Sequence, residues 1–156
     1  MQKETLYTMY QVQNNERTKN IQFVNYAYFE SKRFQPDFEN YEKIYEGLLG
    51  EEINLENIRT MFNENIPLGS NYRKLSRSDI IVIDNGVKTK AYYIDKEGYV
   101  EIPSFAVDHD LSLGKSIDIV DYLEKPTRVS GKDKERKPGF QIAMLKKLNS
   151  VMECSK

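Results

Sequence analysis

The chain has no tryptophan, one cysteine, one histidine and no long apolar run, and each scarcity closes off a class of protein. Cys154 alone cannot build an intramolecular disulfide framework, and its place near the end of the 156 residues is a poor one for a catalytic thiol. A lone cysteine suits a reducing compartment. Nowhere do 18 apolar residues run together, and the opening "MQKETLYTMYQVQ" holds no apolar stretch of signal-peptide length. A cytoplasmic protein is therefore expected. His109, within "DHD" (Asp108–Asp110), lacks the further His or Cys residues that would complete a coordination sphere. It reads as part of a solvated loop, and neither a metal nor another cofactor is expected.

A strong charge of one sign is missing too, since the net charge is −1. Its distribution is less even. Met1–Ala106 carries 13 basic and 16 acidic residues, whereas Arg128–Lys147 carries 7 basic and 2 acidic. What the chain does have is tyrosine, 11 residues of it, in a sequence that is 39% hydrophobic and 30% charged. Tyrosine offers large, stiff contact area suited to half-buried strands and to protein interfaces. The length fits one domain with a core of its own.

Along the chain, "LYTMYQVQ" (Leu6–Gln13) and "IQFVNY" (Ile21–Tyr26) alternate as strands around the polar turn "NNERTKN", which predicts an opening hairpin. "AYFESKR" follows as one or two helical turns. "YEKIYEGLL" (Tyr41–Leu49) fits both periods: Tyr41, Ile44, Tyr45 and Leu48 at helical spacing, Tyr41, Lys43 and Tyr45 on a strand face. "NLENIRTMFNEN" is a helix with Asn54 as N-cap and Leu55, Ile58, Met61 and Phe62 as its apolar stripe. "IIVI" (Ile80–Ile83) is a strand buried on both faces, "DNG" (Asp84–Gly86) a tight hairpin of type I′, "KTKAYYI" the returning strand and "YVEI" a short last one before Pro103. "SLGKSIDIVDYLEK" predicts a helix with Ile117, Val120, Tyr122 and Leu123 inward. "PTRVSGKDKERKPG" (Pro126–Gly139) reads as a flexible basic linker, and "FQIAMLKKLNSVM" as a short amphipathic helix. The fold class is α+β, a small antiparallel sheet with a central hairpin (79–94), a few helices and a helical C-terminal extension.

Catalytic signatures are weak. Lys74, Ser76, Ser78 and Asp79 could suggest a Ser–Lys arrangement, but the serines directly precede a strand, where Ser and Asp side chains bonding to backbone N–H groups account for them. Glu51–Glu52 and Asp95/Glu97 sit at turns, where solvated carboxylates are ordinary. Gly114–Ser116 lacks the upstream glycine of a phosphate loop and starts a helix instead. No enzyme is expected. Two binding surfaces remain. Tyr7, Tyr10, Tyr26, Tyr28, Phe29, Tyr92, Tyr93 and Tyr99 exceed what a core of this size needs, so about half should face a partner. The tail could attract nucleic acid through Arg128, Lys132, Lys134, Arg136, Lys137, Lys146 and Lys147, although Asp133 and Glu135 interrupt it and no aromatic is interleaved for stacking.

Four segments together resemble the YodL-like domain of Firmicutes proteins and their mobile elements: "LYTMYQV", "FENYEKIYEGLL", "LENIRTMFNENIPLG" and "KLSRSDIIVIDNGVKTKAYYIDKEGYVEIPSF". The last is the most specific, with Leu75, Ser76, Ser78 and Asp79 ahead of the apolar strand, then Ala91–Asp95, Gly98–Tyr99 and Pro103–Phe105. The likeness covers about residues 6–105, and Lys88–Lys90 lengthen the first hairpin arm relative to the pattern. It implies a YodL-like α+β domain over 1–106; the residues beyond it lie outside the likeness and read, from their own pattern, as a helical extension (107–125), the linker (126–139) and the terminal helix (140–156). It also implies a non-catalytic module carried on conjugative elements, plasmids and phages, with a chromosomal member linked to cell shape through the actin-like cytoskeleton.

The expectation that follows is a protein-binding inhibitor of a host machine, an anti-defence protein (anti-CRISPR or anti-restriction) that occludes a basic surface. Tyr26, Tyr28, Glu39, Glu42, Glu51, Glu52, Asp95 and Glu97 would make the contacts. The alternatives are a modulator of the actin-like cytoskeleton and a nucleic-acid-binding accessory protein that uses the tail. A membrane is not an expected partner.

Overall fold

A computed structural model describes residues 5–49, 54–66, 73–116 and 124–131. Residues 117–123 of the helix expected over 112–125, the helix expected over 140–156 and most of the expected linker lie outside these residues. The described elements run β1 (Thr5–Val12), α1 (Tyr26–Lys32), a 3₁₀ turn (Phe38–Asn40), β2 (Tyr41–Leu49), α2 (Leu55–Glu64), β3 (Ile80–Asp84), β4 (Thr89–Ile94), β5 (Tyr99–Glu101), α3 (Pro103–Ser112) and β6 (Thr127–Val129). The strands form one antiparallel sheet in the order β2-β1-β3-β4-β5-β6. The fold is α+β.

Because strand side chains alternate between faces, the central sheet feeds two cores. Tyr10, Ile80, Val82, Ala91, Tyr93 and Val100 join α1 and α3 through Tyr26, Phe29, Phe105 and Ala106. Met9, Ile81, Ile83, Tyr92, Ile94 and Tyr99 join α2 through Leu55, Ile58 and Phe62. Ile80, Ile81, Val82 and Ile83 are all buried, which is why "IIVI" has no polar alternation. Each such side chain contributes about 1.5–3 kcal/mol of transfer free energy.

Local chemistry sets the ends of α2 and α3. Asn54 accepts the Asn57 N–H at 2.8 Å and caps α2 as expected. Pro103 ends the β5 segment and starts α3, since its missing N–H costs nothing in a first helical turn. The β3–β4 connection differs from the tight type I′ turn expected. Asp84 and Thr89 are the last pair, and residues 85–88 form a longer loop. The Asn85 side chain takes the Val87 and Lys88 N–H groups at 2.9 Å each, and Asp84 Oδ1 takes that of Gly86 (φ +89°) at 2.8 Å.

Three further expectations are corrected. Ile21–Tyr26 is not a strand, and β1 pairs with β2 and β3 instead of an opening hairpin partner. Thr18 is fully buried and its hydroxyl donates to the Gln13 carbonyl, which folds 13–18 into a compact turn; Phe23 then takes a left-handed conformation (φ +63°) that ends any extended run. His109 lies in α3 and is buried, not in a solvated loop. Thr127–Val129 pairs with β5, so the start of the expected linker is a strand. α3 runs without a break across residue 106, and its Phe105, Ala106 and Val107 are core residues.

Candidate functional site

Residues 73–79, which carry the serines and Asp79 weighed for catalysis, form a structural anchor. Asp79 is buried, and the Arg73 guanidinium grips it with two contacts of 2.6 and 2.8 Å. Ser76 N–H donates to the same carboxylate at 2.9 Å and the Gln11 amide at 3.4 Å. Burial pushes the Asp79 carboxyl up, while Arg73, the Ser76 amide and Gln11 oppose that rise. Ser78, at φ +81°, accepts the Phe23 N–H on its hydroxyl at 2.9 Å, and its carbonyl accepts the buried Tyr41 hydroxyl at 2.7 Å. The Arg73 and Ser76 bonds close the segment on itself, and those of Gln11, Phe23 and Tyr41 tie it to three distant parts of the chain.

Asp95 and Arg128 form a second anchor. Asp95 accepts the Tyr26 N–H at 2.9 Å and so caps α1, whose own Asn25 side chain makes no cap bond. It also pairs with Arg128 at 2.7 Å, and Arg128 reaches Glu30 at 2.8 Å. Burial alone would raise the Asp95 carboxyl, but the Tyr26 and Lys96 amides and Arg128 outweigh it and hold it below the usual range. Asp95, placed among the partner contacts, is thus turned inward at 8% side-chain exposure. Arg128, placed among the nucleic-acid contacts, is already ion-paired. Tyr26 is a core residue, 3% exposed, stacked edge-on to Tyr93. Burial, with help from Glu30 and against Arg128, pushes its hydroxyl up to about 12.

The other predicted contacts scatter. Glu39, Glu42 and Glu97 are exposed and Tyr28 is half-buried. Glu51, Glu52, Lys132, Lys134, Arg136, Lys137, Lys146 and Lys147 lie outside the described residues. Tyr10, Tyr92, Tyr93 and Tyr99 are all core, so these tyrosines go inward, and among the described residues the exposed aromatics are Phe23, Phe34 and Tyr45.

One surface does gather chemistry. A cleft of about 840 Å³ opens between α1, the 34–40 segment and α3, with Lys125 and Pro126 along its rim. Its position follows from the left-handed Arg33 (φ +61°), which ends α1 and turns the chain across the face of α3. Phe34, 49% exposed, stands beside Phe29 and Tyr28 at ring separations of 5.3 and 6.3 Å. Asp37 and Asp108 line the same cleft, and Glu39 lies close enough to act on Asp108. Burial, then Asp37 and Glu39, raise the Asp108 carboxyl. None of these three carboxylates is in an ion pair among the described residues, where no group of three His, Cys, Asp or Glu is placed to hold a metal ion. Phe34 and Asp37 carry no signal in the sequence, and Asp108 enters there only as a neighbour of His109. Asp37 and Asp108 are 71 positions apart, and no spacing rule joins them.

No helix among the described residues is long and apolar enough to cross a membrane. No curated protein and no solved structure matches the chain. The family model of the YodL-like domain matches residues 6–105, which takes in the sheet from β1 to β5, both anchors apart from Arg128, and the start of α3; the chain belongs to the YodL-like domain family.

Proposed function

We propose that this chain is a non-catalytic protein-binding module whose α1–α3 cleft receives a basic segment of a partner protein. The observation that carries the reading is an exposed aromatic, Phe34, that lines one concave surface with Asp37 and Asp108, two carboxylates free of ion pairs among the described residues, while Glu39 acts on Asp108 from nearby. Aromatic side chains in pockets supply most of the holding energy of an interface, and opposite charge speeds encounter and sets orientation. Carboxylates kept close together gain from a cation that relieves their repulsion. The family's association with mobile elements makes a host protein machine the partner of choice, a CRISPR or restriction nuclease first and an actin-like filament subunit second. Occlusion of a nucleic-acid-handling surface would be the mechanism. The test is affinity capture from host lysate, comparing the natural chain with a Phe34→Ala, Asp108→Lys variant of unchanged fold. A partner held by the first and lost by the second supports the cleft, and equal capture by both removes it.

A further inference from the structure

We infer that β2 is the seat of a symmetric edge-to-edge contact with a second copy of this chain. β2 closes one side of the sheet, nine residues long, with β1 as its one neighbour among the described residues. The opposite edge, β6, has three.

β2 is not a regular strand. Met9 pairs with Tyr45 and Tyr10 with Lys43, so Ile44 is an extra residue, a bulge. Its effect is to break the alternation of faces at mid-strand. Tyr41 belongs to the core under α1 and α3, and Lys43, Glu46 and Leu48 share that face because they pair with Tyr10, Thr8 and Leu6. Ile44 and Tyr45 both turn to the other face, Ile44 into the α2 core and Tyr45 against Tyr7 and Phe62. From the Ile44–Tyr45 step outward, residues 43 and 46 share one face, 42 and 47 the other, and 41 and 48 the first again.

A regular added strand matches that pattern on one side of the bulge and misses it on the other, because a one-residue slip reverses every side chain. A second β2, antiparallel and centred on the same step, matches it throughout. In that register Lys43 faces Glu46 of the second copy, and the two-fold axis makes the pair occur twice. Within one chain neither residue is in an ion pair among the described residues, and both are exposed. The same register lays Leu48, 57% exposed, beside Tyr41 of the second copy, and Tyr45, 41% exposed, beside its Ile44. Bulges and charges ordinarily protect a sheet edge from other strands. Here both devices are complementary to themselves, so they refuse foreign strands and accept a copy.

Sedimentation equilibrium of the full chain tests this, with circular dichroism as the folding control. The natural chain is expected to approach twice its 18.3 kDa mass as concentration rises. Lys43→Glu and Glu46→Lys each place like charges opposite one another twice, and each should weaken the dimer by about tenfold or more. The double variant restores both pairs and should return the dimer. A chain that stays at the monomer mass at every concentration, or a double variant no better than either single one, overturns the proposal.

Discussion

Replacing Arg73 with methionine should cost more stability than replacing Asp79 with asparagine, and the first cost should grow with pH. The Asp79 side chain has no exposed surface, whereas that of Arg73 is 32% exposed. Asp79→Asn keeps an oxygen for the Ser76 N–H and frees the guanidinium to turn into water. The loss is then that of charge-assisted bonds to a partly screened partner, about 2 kcal/mol. Arg73→Met strands a carboxylate in the interior, which costs about 3–5 kcal/mol. Burial is the largest influence on Asp79 and pushes its carboxyl up, with Arg73 the chief opposing one. Without the guanidinium the folded-state pKa moves further above the unfolded value. The folded chain then holds a proton the unfolded chain has released, so stability falls as pH rises through that window. Each unit of separation contributes about 1.4 kcal/mol. Urea unfolding followed by circular dichroism, from about pH 5 to about pH 8, reads both effects. Equal losses for the two variants, or an Arg73→Met loss that does not grow with pH, would refute the role given to this pair.

Two further perturbations probe other parts of the fold. His109 is buried against the Tyr10 hydroxyl at 2.7 Å, and burial lowers its pKa, with Lys115 and Lys43 adding to that and Asp110 and Asp84 opposing it. The unfolded chain therefore takes up its proton first, and stability should drop as pH falls below the ordinary histidine value of about 6.5. Asp79 and Asp108, both raised, act with the opposite sign, so the quantity to measure is the melting temperature of His109→Gln against the natural chain, which should show a shallower acid slope. At Gly131 a Cβ would stand 2.2 Å from Tyr99 Cε1 and 2.9 Å from two Glu56 atoms, while the Gly131 carbonyl accepts the Glu56 N–H of α2. Gly131→Ala should cost about 1–3 kcal/mol and raise hydrogen exchange in β6 before the rest of the sheet; unchanged exchange there would contradict this packing.

The parts of the fold legible in sequence are those where local signals and tertiary setting agree. α2 carries its cap and its stripe, and β3 its unbroken apolar run. β2 was ambiguous for a physical reason: the bulge at Ile44 shifts the facing by one, so Tyr41, Ile44, Tyr45 and Leu48 fall at helical spacing in an extended strand. Ile21–Tyr26 alternates like a strand, but a buried threonine hydroxyl and one left-handed residue bend it into turns. β6 has three residues and no alternation, and it exists because β5 offers an edge. The candidate site was less legible. Sequence pointed to tyrosines and carboxylates by type, yet most of the tyrosines pack the two cores and Asp95 caps a helix from a distant turn. The cleft depends on α1 and α3 meeting across the sheet, which composition does not reveal.

The central claim is that binding resides in the α1–α3 cleft and not in the basic tail. The direct measurement is quantitative capture of a host partner by three versions of the full chain: natural, Phe34→Ala with Asp108→Lys, and a tail variant with Arg136, Lys137, Lys146 and Lys147 changed to glutamine. The account predicts that the partner is retained by the natural chain and the tail variant and lost from the cleft variant. Loss from the tail variant with retention by the cleft variant would contradict it.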